Sequence, residues 1–210
     1  MTNRRRERQR RPARRAARKD PKRRLLLVCE GEVTEPQYFR GFERWARNNT
    51  VEIDIADEHG VPLTLVRRAE KRKQEADNAA DKEADSFLRY DEVWCVFDVD
   101  AHPHLNEARQ LARSRGIALA VSNPCFELWL LLHFRENPGA RQRHDVQRLL
   151  REHIAGYCKH LPFDVLKPGI ADAENRAMRL HDDAEREGES GRNPSTDVFR
   201  LTGSIRGEAR

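Results

Sequence analysis

Long apolar runs are missing from this sequence, and none approaches the roughly eighteen consecutive apolar residues of a membrane-spanning helix. Cysteine is sparse as well. Cys29, Cys95, Cys125 and Cys158 form no C-x-x-C pair, and the first two sit inside apolar runs. That pattern fits small reduced hydrophobes rather than a zinc site or a disulfide framework. No segment repeats itself, and the start of the chain holds no apolar stretch suited to the core of a signal peptide. These absences place the expected location in the cytoplasm, without a membrane partner.

Charge, by contrast, is abundant and unevenly spread. Residues 1–24 hold thirteen Arg and Lys against Glu7 and Asp20, a net of +11, so within a total of +5 the other 186 residues carry −6. The sequence therefore reads as an acidic body with a basic arm. Pro12 and Pro21 interrupt any long helix in the arm. Its composition suits phosphates, which a cationic tail attracts through counterion release without sequence preference, so DNA or RNA is its expected partner. A solvated, solubilising tail is the plainer alternative. A chain of 210 residues is long enough for one sizeable core, burying roughly 70% of its unfolded surface.

From Leu25 onward, strand and helix patterns alternate, which predicts a parallel α/β sheet. LLLVC at 25–29 is the first strand. Thr34-Glu35-Pro36-Gln37 has the form of a capping box, followed by Tyr38, Phe39, Phe42 and Trp45 at helical spacing. Val51 to Ala56 alternates as a half-exposed strand near a sheet edge. Leu63 to Leu88 is a charged helical stretch with a thin apolar stripe and an expected break near Asp77-Asn78. A third strand at Val93–Phe97, a helix at Leu105–Ser114 and a fourth strand at Ile117–Val121 follow. Asn123-Pro124 is expected to cap an apolar helix at Cys125–Phe134. Three further helices are expected near 145–157, 171–187 and 195–205. The organisation is thus an arm at 1–24, an α/β core at 25–135 and a helical section at 136–210 packing on it.

Two strands in this scheme end in acids. LLLVCEGEVTE carries Glu30 past the first strand, and VWCVFDVDAH carries Asp98 and Asp100 at the end of the third. Strand ends at the carboxyl edge of a parallel sheet are where ligands bind. Were the two strands neighbours, about 4.8 Å apart, three carboxylates would share one small volume. Like charges so placed raise each other's pKa, a cost that a hard divalent cation removes. Oxygen ligands without His or Cys favour Mg2+, with Mn2+ the alternative. Taken singly, each motif equally suits a helix cap or an exposed turn. Glu127, early in the apolar helix, is a further candidate ligand or catalytic group, or simply a partner of the helix dipole. Glu35 reads most simply as a helix-start acid and Glu32 as a solvent-facing one. His102 and His104 lie beside D-x-D but in a surface turn, His133 reads as a core histidine, and Asn193 and Ser195 read as a turn and an N-cap.

CEGEVTEPQYF, VFDVDAH, SNPCFELWLLLHF and NPSTDV together resemble the signature segments of the RloB-like family, itself similar to the Toprim fold of topoisomerases, primases and overcoming-lysogenization-defect nucleases. The resemblance spans about Leu25 to Val198, and SNP followed by FELWLLLHF is its most specific part. It implies a Toprim-like sheet in which Glu30 is a metal ligand or general acid/base and Asp98 and Asp100 hold magnesium. It also implies a setting in bacterial antiphage defence or abortive infection, with a partner ATPase. The expected activity is metal-dependent phosphodiester hydrolysis. The alternatives are a non-catalytic nucleic-acid-binding or toxin subunit held by that ATPase, and a phosphohydrolase using Asp98 as nucleophile. Against the last, D-x-D falls on the third strand rather than the first.

If the arm contacts nucleic acid, removing residues 1–22 lowers the slope of log affinity against log salt; an unchanged slope would assign the arm a purely solubilising role.

Overall fold

The computed structural model describes residues 22–99, 104–158 and 161–208. Residues 1–21 of the basic arm, Asp100 and His102 lie outside these. Strand β1 (Arg23–Cys29) starts two residues earlier than its apolar run, because Arg23 and Arg24 are anchored in the sheet. Arg23 pairs with Glu92, and the guanidinium of Arg24 lies 4.7 Å from the centre of the Tyr90 ring.

Helix α1 (Thr34–Ala46) returns the chain to β2 (Val51–Ile55), and α2 (Pro62–Glu83) leads to β3 (Glu92–Asp98). Then come α3 (Leu105–Arg115), β4 (Ala118–Asn123), α4 (Glu127–Leu132), α5 (Arg143–His153), α6 (Ile170–Arg186), β5 (Ser195–Thr196) and α7 (Val198–Arg206). The sheet order is β2-β1-β3-β4-β5, parallel except for the antiparallel β5. The protein is thus an α/β fold with a mostly parallel sheet flanked by helices, and β2 is an edge strand as its alternation predicted.

Burial explains why β1 is apolar throughout. Leu25 to Val28 are fully buried, since a parallel sheet carries helices on both faces. Side chains alternate between the two layers with the period of a strand. Leu25, Leu27, Cys29, Trp94 and Val96 pack with residues of α1 and α4 to α7. Leu26, Val28, Val93, Cys95 and Phe97 pack with residues of α2 and α3. The section after 135 packs against the first layer and also supplies β5, a strand where a helix start was expected.

Several local expectations are corrected. Helix α2 runs unbroken through Asp77-Asn78 and is followed by a short 3-10 turn at Ser86–Leu88. Asn123 ends β4, and α4 begins only at Glu127, with no side-chain cap from Asn123. The amide of Asn123 instead donates to Gly191 O at 2.9 Å. Ser195 does not cap α7, which follows Asp197. Asn193 holds the backbone of Arg141 from both sides, at 3.2 and 2.7 Å, which is a structural role.

Truncating a side chain at the centre of this packing leaves a cavity. Leu27→Ala is expected to cost about 2–5 kcal/mol in denaturant unfolding. Phe87→Ala, at a position 59% exposed, is expected to stay within about 0.5 kcal/mol.

Candidate active site

The carboxyl edge of β1 and β3 carries the acids. The last paired step between these strands is Cys29 with Val96. The ladder continues one bond further, from Glu30 N–H to Val96 O at 2.9 Å, and the chain then turns toward α1. This brings the Glu30 side chain across to β3, where its Oε2 accepts the Asp98 N–H at 2.9 Å. Strand β3 ends at Asp98, beside Ser122 of β4. The expected adjacency of the two acidic strand ends is therefore present for Glu30 and Asp98.

Around them is a cavity of about 420 Å³, also lined by Glu35, Glu127, Phe126 and Arg143. Glu35, in the first turn of α1, bends back so that Oε1 accepts the Gly31 N–H at 3.2 Å. This replaces the expected capping box, and no side chain caps α1 at Val33. The approach is close: a Cβ at position 31 would lie 2.3 Å from Glu35 Oε2. Only glycine leaves the carboxylate where it is. Glu127 is buried as the first residue of α4, and its Oε1 accepts from Gln147 Nε2 at 2.8 Å and from the Tyr157 hydroxyl at 3.4 Å. Arg143, at the start of α5, places Nη2 3.1 Å from Asp98 Oδ2.

The electrostatics follow from burial. Loss of water raises the Asp98 pKa well above the carboxylate range; the charge of Glu35 adds to this, that of Arg143 opposes it, and those of Glu30 and Glu127 add further. Burial likewise raises Glu35, helped by the charges of Glu127 and Glu30 and opposed by backbone hydrogen bonds including that from Gly31. The pocket is thus a place where negative charge is crowded and poorly solvated.

The donor set is mainly oxygen, which suits a hard cation: Glu30, Glu35, Asp98 and Glu127 line the pocket, and its one lining histidine, His59, pairs with Glu32. Among the described residues, no group of three or more His, Cys, Asp and Glu side chains stands ready-made as a metal cage. Magnesium keeps several waters and needs only one or two protein carboxylates. Glu30 and Asp98 suffice on that count.

Other residues fall elsewhere. Glu32 is exposed at the rim and pairs with His59 at 2.6 Å. His104 is exposed and sits 3.0 Å from Glu107. His133 is a core residue as expected, between the Tyr38 hydroxyl at 3.2 Å and Trp129 O at 3.0 Å, and burial lowers its pKa to about 4. Glu35, His59 and Arg143 join the pocket without having been site candidates in the sequence. In the sequence Glu35 reads only as a helix-start acid, although its four-residue spacing from Gly31 is a usable signal. Nothing in the linear sequence joins Arg143 to Asp98.

A carboxyl with a raised folded-state pKa binds protons more tightly when folded, so it costs stability once pH rises above its ordinary value and the cost is complete above its folded value. Glu35→Gln keeps the acceptor for Gly31 and removes the charge. It is expected to raise the thermal midpoint at pH 8, with the gain vanishing by about pH 4; an equal shift at both pH values would refute the assignment.

The chain matches the family described as RloB-like protein over residues 25–205. No curated protein and no solved structure matches it significantly. Among the described residues, no helix is long and apolar enough to cross a membrane. The family match covers most of the sequence, from the first strand to the last helix, and the chain belongs to the RloB-like family.

Proposed function

We propose that this protein is a magnesium-dependent nuclease of Toprim type that hydrolyses phosphodiester bonds of DNA or RNA, as an effector in antiphage defence or abortive infection. The observation that carries the reading is the meeting of Glu30, Asp98, Glu35 and Arg143 in one pocket at the carboxyl edge of a parallel sheet. The defence setting rests on the family resemblance alone.

Glu30 and Asp98, with Asp100 of the same motif, are the residues that would hold magnesium. The ion, when bound, would neutralise the phosphodiester and polarise its oxygens. Arg143 offers a guanidinium whose fork suits a phosphate as well as it suits the Asp98 carboxylate. It draws the substrate phosphate toward Asp98 and balances charge that the acids alone would repel. Glu35 has a raised pKa and a fixed position, which suits a group that carries a proton to a leaving oxygen. Glu127, held in place by Gln147 and Tyr157, adds its charge to this cluster.

The ion pair of Arg143 with Asp98 engages a carboxylate that the metal would need, which favours a second reading, a nucleic-acid-binding subunit without turnover; its control by a partner ATPase rests on the family resemblance alone. Assays of the purified full chain on DNA, RNA and transfer RNA with Mg2+ or Mn2+ divide the two. Under the nuclease reading, Glu30→Gln and Asp98→Asn abolish metal-dependent cleavage and Arg143→Ala slows it about 100-fold. Cleavage that persists unchanged in Asp98→Asn removes the site, and a complete lack of turnover with every substrate favours the binding subunit.

A further inference from the structure

Helix α1 starts at the acidic pocket with Thr34 and Glu35 and ends at Ala46, having returned to the edge of the sheet where β1 and β2 begin. Gln37, Arg40 and Arg44 recur along it every three or four residues, which is the spacing of one helical face, and Arg47 follows directly as the left-handed residue that ends the helix. Facing them is the segment 161–167, held at two points. The Leu161 N–H donates to Gln37 Oε1 at 2.8 Å. The Phe163 ring lies so near Gly41 that a Cβ there would come within 2.4 Å of it. Between the two walls is an open groove of about 890 Å³ lined by Arg40, Arg44, Trp45, Arg47 and Lys167, together with Asp164.

The groove differs from the body that bears it. The sequence after residue 24 carries a net −6, yet the lining holds four cations and a single acid. That acid, Asp164, pairs with Lys167. Among the described residues, Arg40, Arg44 and Arg47 have no carboxylate within 4.0 Å. Like charges one turn apart on a helix repel, so the row costs the free protein stability and invites an anion. Trp45 adds a second signal. It is 38% exposed while Trp94 and Trp129 are 2% and 0% exposed, which leaves one indole in water beside three guanidinium groups.

We infer that this groove binds single-stranded nucleic acid leading to the acidic pocket, with Arg40, Arg44 and Arg47 on its phosphates and Trp45 stacked on a base. A positive groove that follows a backbone, together with an exposed aromatic platform, is how unpaired strands are held without sequence preference. A duplex offers no free base to stack on. The groove also leads somewhere at each end. Glu35 and Ala46 are separated by about 16 Å along the helix axis, and just past Arg47 the carbonyl of Thr50 accepts the Arg23 N–H at 2.8 Å. The chain therefore enters β1, directly after its basic stretch, beside the far end of the groove. The inference rests on the phosphodiester reading of the pocket and adds the route by which the strand arrives.

The test uses the full chain with EDTA, so that binding is read without cleavage, and follows tryptophan fluorescence during titration with short oligothymidylate or oligouridylate. Because the other two tryptophans are buried, quenching is expected and is lost in Trp45→Phe. The exposed triple variant R40A/R44A/R47A, checked for native circular dichroism, is expected to bind about tenfold more weakly, with a salt slope lower by about 2, at about 0.7 per phosphate on a single strand. If the triple variant fails to fold, the Trp45 quenching in the unaltered groove still decides. No quenching at saturating oligonucleotide, or an unchanged slope, overturns the inference. Equal quenching by polyglutamate overturns it in favour of an acidic protein partner. Failure of the nuclease reading is seen separately, as absent cleavage with Mg2+ despite groove binding.

Discussion

Five parallel ladder steps between β1 and β3, from Leu25 with Glu92 to Cys29 with Val96, fix the geometry of the whole acidic edge. Strands that run the same way end on the same side, so Glu30 and Asp98 arrive together without any contact designed for them alone. The register is secured by packing on both faces. A slip of one residue would exchange Leu25, Leu27 and Cys29 with Leu26 and Val28 between two layers of different shape and size. What holds the carboxylates at their separation is therefore the apolar core, and the Glu30 bond to the Asp98 amide refines a position already set.

Against that gain stands the electrostatic cost of the pocket. Asp98 and Glu35 are both buried and both displaced toward the protonated form, and Arg143 relieves only part of the crowding. A fold selected for stability alone would place apolar side chains there. Cost of this kind concentrates where charge is put to use, and in this RloB-like protein it sits at the edge where a parallel sheet binds ligands. The basic row on α1 is a milder form of the same thing, since repulsion between neighbouring guanidiniums is tolerated along a face that points away from the core.

Much of this was legible in the sequence because period and burial act locally. The run LLLVC announces a strand buried on both faces, and the alternation of Val51 to Ile55 announces an edge strand. The two acidic strand ends were readable as lying on one carboxyl edge, while their being neighbours was only a condition until the order β2-β1-β3-β4-β5 supplied it. What stayed hidden depends on distance in the chain. Arg143 meets Asp98 across 45 residues, and Ser195–Thr196 pairs with β4 through two residues only, too short a run for any period to register. The place of Glu35 is hidden in the sequence for a different reason. An acid in the first turn of a helix already has a sufficient local explanation, and only the close approach to Gly31 shows that its carboxylate turns back into the pocket.

The distribution of thiols has a practical consequence. Cys29 and Cys125 are buried in the layer under α1 and α4, Cys95 is buried in the layer under α2 and α3, and Cys158 alone is exposed. Burial pushes the three inner thiols up, Cys95 to about 12, so they are protonated as well as shielded. An alkylating reagent thus counts one cysteine in the folded chain and four in the unfolded one. Because Cys29 and Cys95 sit on adjacent strands yet face opposite sides of the sheet, the order in which they become labelled would tell which layer of helices lifts away first.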